Sequence, residues 1–177
     1  MREVQPRAAG TDEADPEQVA RLILLRRLTS APRTRAQLRD DLRARAVPDE
    51  VAERVLDRFV EVGLIDDEQF ARMWVESRHR SRGSSRSLLR RELQSKGVDA
   101  ALAQQAVEQV DPQDERERAR ELVRTRAPTV ARLEPQVRAR RLVGMLQRRG
   151  YSAGLAYAVV REVLADEELE GLEAPVD

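Results

Sequence analysis

One pattern recurs three times and limits what this chain can fold into. Leu38-x-x-x-Leu42-x-x-x-Ala46-Val47 is followed in register by Val51, Val55 and Leu56. Leu89-x-x-x-Leu93-x-x-x-Gly97-Val98 is followed by Leu102, Ala106 and Val107, and Leu142-x-x-x-Leu146-x-x-x-Gly150-Tyr151 by Leu155, Val159 and Val160. The copies stand 51 and 53 residues apart. Apolar residues spaced three and four apart describe amphipathic helices, and a fixed period of this length marks a repeat architecture. Each copy reads as a helix carrying two leucines, a tight turn at Ala46, Gly97 or Gly150, and a second helix. Glycine suits the left-handed position that closes a helix, and Asp49, Asp99 and Ser152 stand as candidate N-caps for the helix that follows.

A third helix precedes each pair. Val19, Ala20, Leu22, Ile23 and Leu24 align with Phe70, Ala71, Met73, Trp74 and Val75, and more loosely with Ala119, Leu122 and Val123, where extra residues fall around Pro128 and Pro135. Asp15, Asp66 and Asp111 sit where the N-caps of these helices belong, two of them before a proline at the first helical position. With few glycines, prolines and aromatics, the chain reads as all-α: three tandem three-helix repeats at 16–65, 66–110 and 111–165. A flexible N-terminal arm (1–15) and an acidic C-terminal tail (166–177) flank them. Units of this size bury little surface alone, so the expectation is neighbours packed into one extended core, an elongated, curved, solenoid-like rod.

Composition removes several kinds of chemistry. The absence of cysteine excludes disulfides, thiolate metal sites and thiol nucleophiles, and one histidine cannot supply paired ligands. His79 falls on the side of its helix opposite Phe70 and Trp74, which predicts an exposed residue and not a catalytic base. Asp66-Asp67 read as helix-start acids. Gly83-Ser84-Ser85 lacks the lysine of a nucleotide-binding loop, and Ser84 or Ser85 reads as an N-cap. Trp74, in register with Ile23 and Leu122, reads as core, and Glu92 and Lys96 as an ordinary i, i+4 pair. No enzyme activity, cofactor or metal is expected. With no membrane-length apolar run and no signal peptide, a cytoplasmic monomer is.

The 32 basic and 32 acidic residues cancel in total but not in place, and every basic residue except Lys96 is arginine. Between Glu76 and Val98 seven bases face two acids, residues 135–161 hold six arginines and no acid, and 162–177 hold seven acids and no base. Such blocks act locally because charges are screened over about 8 Å at physiological salt. On the helix from Ser85, Arg86 and Arg90 share a flank of the leucine stripe. With Arg78 of the preceding helix they are expected to converge on one patch.

Gly63-Leu64-Ile65-Asp66-Asp67, Phe70-Ala71, Trp74, Arg78, Gly83, Arg86, Leu89, Glu92-Leu93 and Lys96-Gly97-Val98 together resemble the signature of the RecX family, regulators of the RecA recombinase. Arg82 stands where that family often has lysine. The resemblance implies tandem three-helix repeats that bind in the groove of a RecA filament on DNA, hindering filament growth and suppressing ATP hydrolysis, strand exchange and coprotease activity. These are controls on homologous recombination, DNA repair and the SOS response. Joined to the charge map, it makes Arg78, Arg82, Arg86, Arg90 and Arg91 the first partner-binding candidates and Arg140, Arg141, Arg148 and Arg149 the second. The alternative is a stand-alone DNA-binding regulator with helix-turn-helix-like units. Weak affinity for single- or double-stranded DNA fits either reading.

Overall fold

The computed structural model describes residues 15–173, with side chains described through Asp166. Nine α-helices follow one another in the described residues: α1 (Pro16–Ser30), α2 (Arg35–Arg43), α3 (Asp49–Glu61), α4 (Asp67–Arg82), α5 (Arg86–Ser95), α6 (Ala100–Glu108), α7 (Pro112–Arg126), α8 (Pro135–Arg148) and α9 (Ala153–Glu173). A short 3-10 turn, Ala127–Val130, takes up the extra residues of the third copy. The expected arm at 1–15 lies outside the described residues apart from Asp15, and for the acidic tail the structure gives the backbone of α9 as far as Glu173.

The caps account for where the helices begin. Asp15, Asp99 and Asp111 accept from backbone N–H groups in the first turns of α1, α6 and α7, and Ser85 and Ser152 do so for α5 and α9. Thr34 and Gln37 form a reciprocal capping box on α2. Asp49 differs from expectation. Pro48 takes the cap position and Asp49 is the first helical residue, where its charge still complements the helix dipole. The three turns after the leucine helices are all left-handed, at Ala46 (φ 57°), Gly97 (79°) and Gly150 (86°).

All six repeat leucines, Leu38, Leu42, Leu89, Leu93, Leu142 and Leu146, are 0% exposed. Each such burial contributes about 1.5–3 kcal/mol, so the leucine pairs are the main stabilising element of their units. Each pair belongs to the core of its own unit. Repeat 1 closes on Leu24, Leu38, Leu42, Leu56 and Phe59, repeat 2 on Phe70, Leu89, Leu93 and Val107, and repeat 3 on Val123, Leu142, Leu146, Val159 and Val163. For repeats 2 and 3 this corrects the expectation of a shared core: the leucine pair of each second helix is spent on its own unit's first and third helices.

The chain divides into two compact units, one ending at Asp66 and one beginning at Asp67. Repeats 2 and 3 share the second, and hydrogen bonds at helix ends join them. Ser85 N–H donates to the Arg149 carbonyl (2.9 Å), Arg149 Nε to the Arg82 carbonyl (3.1 Å), Arg118 Nη2 to the Arg80 carbonyl (2.7 Å), and Arg86 N–H to Glu115 Oε1 (2.7 Å). The free carbonyls ending α4 and a free N–H opening α5 are thus satisfied by repeat 3.

Candidate functional site

The structure sorts the arginines into two populations. Arg35 and Arg39 pair with Glu53 across α2 and α3, Arg72 and Arg80 pair with acids one turn away, and Arg116 and Arg120 both reach Glu162. The Arg39 hydrogen bond holds the Glu53 carboxyl below the usual carboxylate range, and the Arg120 hydrogen bond does the same for Glu162. In contrast, none of Arg78, Arg82, Arg86, Arg90, Arg91, Arg140, Arg141, Arg148 and Arg149 has an acidic side chain within ion-pair distance among the described residues.

These nine do not form one patch. Arg140, Arg141, Arg148 and Arg149 line an open cleft of about 910 Å³ on repeat 3, together with Arg126 and the apolar Val130, Val137 and Met145. No acid lines it. Arg86 and Arg90 line a smaller cleft of about 280 Å³ with Gln104, Glu115 and Tyr151. Arg90 is exposed and donates to Gln104 Oε1 (3.2 Å), whereas Arg86 is half-buried and its Nε holds the Val107 carbonyl (3.1 Å), clamping α5 to α6. Arg149 is likewise half-buried in the joint between repeats, while Arg82, Arg91, Arg140, Arg141 and Arg148 are exposed.

Arg78 leaves the expected trio. It lies over the Trp74 ring, 4.3 Å from the centroid, and Lys96 lies over the same ring at 4.2 Å. The indole Nε1 donates to Glu92 Oε2 at 2.8 Å. Glu92 and Lys96 occupy the flank of α5 opposite Arg86 and Arg90, so Arg78 is drawn away from them. Trp74 itself is half-buried, stacked on Phe70 at 5.9 Å, and packs at the edge of its core. His79, expected exposed, is half-buried with Nδ1 3.1 Å from the Ser84 carbonyl, because the turn after α4 folds back over it. Arg126, a lining residue of the repeat 3 cleft, is not among the arginines that local charge singles out. It stands four residues after Leu122, as Arg78 stands four after Trp74, and that register was the available signal.

No helix among the described residues is long and apolar enough to cross a membrane, and no group of three or more metal-ligating side chains occurs there. What the fold and this surface define is a tandem three-helix-repeat protein with unpaired arginine surface in its second and third repeats. Residues 20–59, 66–107 and 113–160 match, in order, the first, second and third three-helix domains of RecX. The regulatory protein RecX of Streptomyces lividans is 53% identical over 158 residues, covering 89% of this chain and 84% of that protein. RecX of Thermobifida fusca is 56% identical over 154 residues, covering 87% and 82%, and that of Mycolicibacterium smegmatis is 47% identical over 165 residues, covering 89% and 88%. The crystal structure of RecX from Lactobacillus salivarius superposes with a TM-score of 0.77 over 85% of this chain and 97% of that one, at 19% identity, a likeness of fold. The chain belongs to the RecX family, a family of regulatory and non-enzymatic proteins.

Proposed function

We propose that this protein restrains the RecA recombinase by lying in the groove of the RecA–DNA filament, with its unpaired arginines against acidic filament surface and DNA phosphates. The observation that carries the reading is the segregation of the arginines. Those paired to acids within the fold have their charge spent, while Arg140, Arg141 and Arg148 present theirs on an acid-free cleft. A guanidinium recognises carboxylate and phosphate alike through bidentate hydrogen bonds, so one surface serves both components of a nucleoprotein filament. Occupying several neighbouring RecA subunits opposes the motions that accompany ATP turnover and subunit exchange, and inhibition of ATPase, strand exchange and coprotease activity follows from that occupancy. The reading places the protein in the cytoplasm, acting as a monomer.

The test is RecA's ATPase on single-stranded DNA with added protein. Arg86 and Arg149 are poor first targets because both hold the fold together. The triple variant Arg140→Ala, Arg141→Ala, Arg148→Ala removes exposed side chains and is expected to need about tenfold more protein for equal inhibition, a difference of about 1.4 kcal/mol, with helix content unchanged. Inhibition equal to the parent's overturns the assignment. Tight duplex binding without RecA, falling steeply with salt, favours the stand-alone DNA-binding reading instead.

A further inference from the structure

In repeat 2 the slot between the first and second helices is full. The Trp74 ring occupies it, flanked by Arg78 and Lys96 and hydrogen-bonded to Glu92. The 51-residue register puts Ile23, Arg27, Asp41 and Arg45 of repeat 1 at the positions of Trp74, Arg78, Glu92 and Lys96. Both cations and the carboxylate are kept there: Arg27 Nη2 lies 2.7 Å from Asp41 Oδ1, and Arg45 Nη1 lies 3.9 Å from it. The aromatic ring is not kept. Where repeat 2 has its indole, repeat 1 has a groove of about 450 Å³ lined by Leu22, Ile23, Arg26, Arg27, Ser30 and Arg45. Arg27 lines the groove, and its Nε is buried with no hydrogen-bond partner. Repeat 3 differs again, with Leu122, Arg126, Met145 and Arg149 in register, so its carboxylate is replaced by a thioether.

We propose that the repeat 1 groove is a docking socket for an aromatic side chain, tryptophan above all, carried on an acidic segment of a partner protein. The chemistry is that of the filled slot in repeat 2. A cation on a ring face is worth about 0.5–2 kcal/mol depending on desolvation, and Asp41, paired with the Arg27 and Arg45 that line the groove, is the register counterpart of the Glu92 that accepts from the indole N–H in repeat 2. The groove lies within the roughly 300–1,000 Å³ typical of pre-formed ligand pockets. Three guanidiniums against one carboxylate leave a positive surplus that selects acidic flanking residues. Leu22, 68% exposed, provides an apolar edge of the groove on which those flanks rest. The socket lies wholly within the first compact unit and does not depend on the arginines of repeats 2 and 3.

The test uses the full ¹⁵N-labelled chain, no RecA, and the peptide acetyl-Asp-Glu-Trp-Glu-Asp-amide beside its counterpart with leucine for tryptophan. The expected result is saturable amide shifts confined to α1 and the end of α2, half-complete near about 1 mM, with the leucine peptide about tenfold weaker. Ile23→Trp, which supplies the missing ring from within, is expected to abolish the shifts. Arg45→Ala, at an exposed position, is expected to weaken them about threefold or more through loss of one cation. Equal binding of the leucine peptide, no saturation, shifts elsewhere, or undiminished binding by the Arg45→Ala chain overturns the proposal. So does a thymidine decamer that moves the same amides at lower concentration than the peptide, which makes the groove a nucleobase site.

Discussion

Gly150 packs against Leu88 with no room for a side chain: a Cβ built on it lies 2.6 Å from the Leu88 Cβ and 3.0 Å from the Leu88 nitrogen. This is the joint between repeats 2 and 3, and besides the Ser85 Oγ at 2.5 Å the atoms in the way are the Leu88 backbone and Cβ, which cannot rotate aside. Gly83, at the same joint, is opposed by the Leu122 Cδ1 at 2.6 Å, the far end of a side chain that can swing. Gly63 has nothing within 4 Å. All three have positive φ, so alanine brings the same left-handed strain, about 1–2 kcal/mol, and only the packing differs.

Urea unfolding of the three alanine variants is therefore expected to rank them. Gly63→Ala costs about the strain alone, Gly83→Ala slightly more, and Gly150→Ala most, with overpacking adding roughly 1–3 kcal/mol. A Gly150→Ala chain no less stable than Gly63→Ala contradicts the close approach.

Ala46 offers the mirror experiment. It holds φ 57° at the turn where the other two repeats place Gly97 (79°) and Gly150 (86°), so repeat 1 carries strain that the others avoid. Ala46 is exposed and its replacement empties no cavity. Ala46→Gly is expected to stabilise repeat 1 by about 0.5–1 kcal/mol, the strain relieved less glycine's extra unfolded-state entropy. Gly97→Ala is expected to destabilise repeat 2 by a similar amount or more. Thermal melts of both variants check the pair, and a lower melting temperature for Ala46→Gly refutes the strain argument.

Most of this architecture was legible in the sequence, for an identifiable reason. Leu38, Leu89 and Leu142 announce their helices through i, i+4 spacing, and spacing survives in one dimension. The turn residues are equally local, because a left-handed φ at Gly97 or Gly150 is a property of a few consecutive residues. What the sequence withheld is tertiary. His79 projects away from its own helix's apolar face, yet the chain returns and its Nδ1 meets the Ser84 carbonyl. Arg86 looks like a free flank residue until Val107 is brought beneath it. The Trp74 cluster is half visible in the sequence, which singles out Arg78, Glu92 and Lys96 separately, but only packing of α4 on α5 shows that they share one ring. The nine candidate arginines follow from local charge alone, while their lack of acid partners shows only in the fold, where arginines such as Arg35, Arg39, Arg116 and Arg120 reach acids on other helices.

Tyr151 carries the last prediction, and it concerns alkaline pH. The residue is 4% exposed, and its hydroxyl oxygen is buried with no hydrogen-bond partner among the described residues. Burial, with Glu115 adding to it, pushes its pKa up to about 12. The unfolded chain titrates the same phenol near about 10. Between those values the unfolded state has released a proton that the folded state keeps, so stability falls as pH rises. The contribution is fully present below pH 10 and is lost progressively toward 12. Tyr151→Phe removes both the titration and an unsatisfied buried oxygen while keeping the ring. It is expected to be neutral or stabilising by about 1 kcal/mol at pH 7 and to lose less stability than the parent between pH 10 and 12. Urea midpoints at pH 7, 10 and 11 check both halves. A loss of about 2 kcal/mol or more at pH 7 means that the hydroxyl makes a hydrogen bond in solution, through a buried water, and the argument from an orphaned oxygen fails.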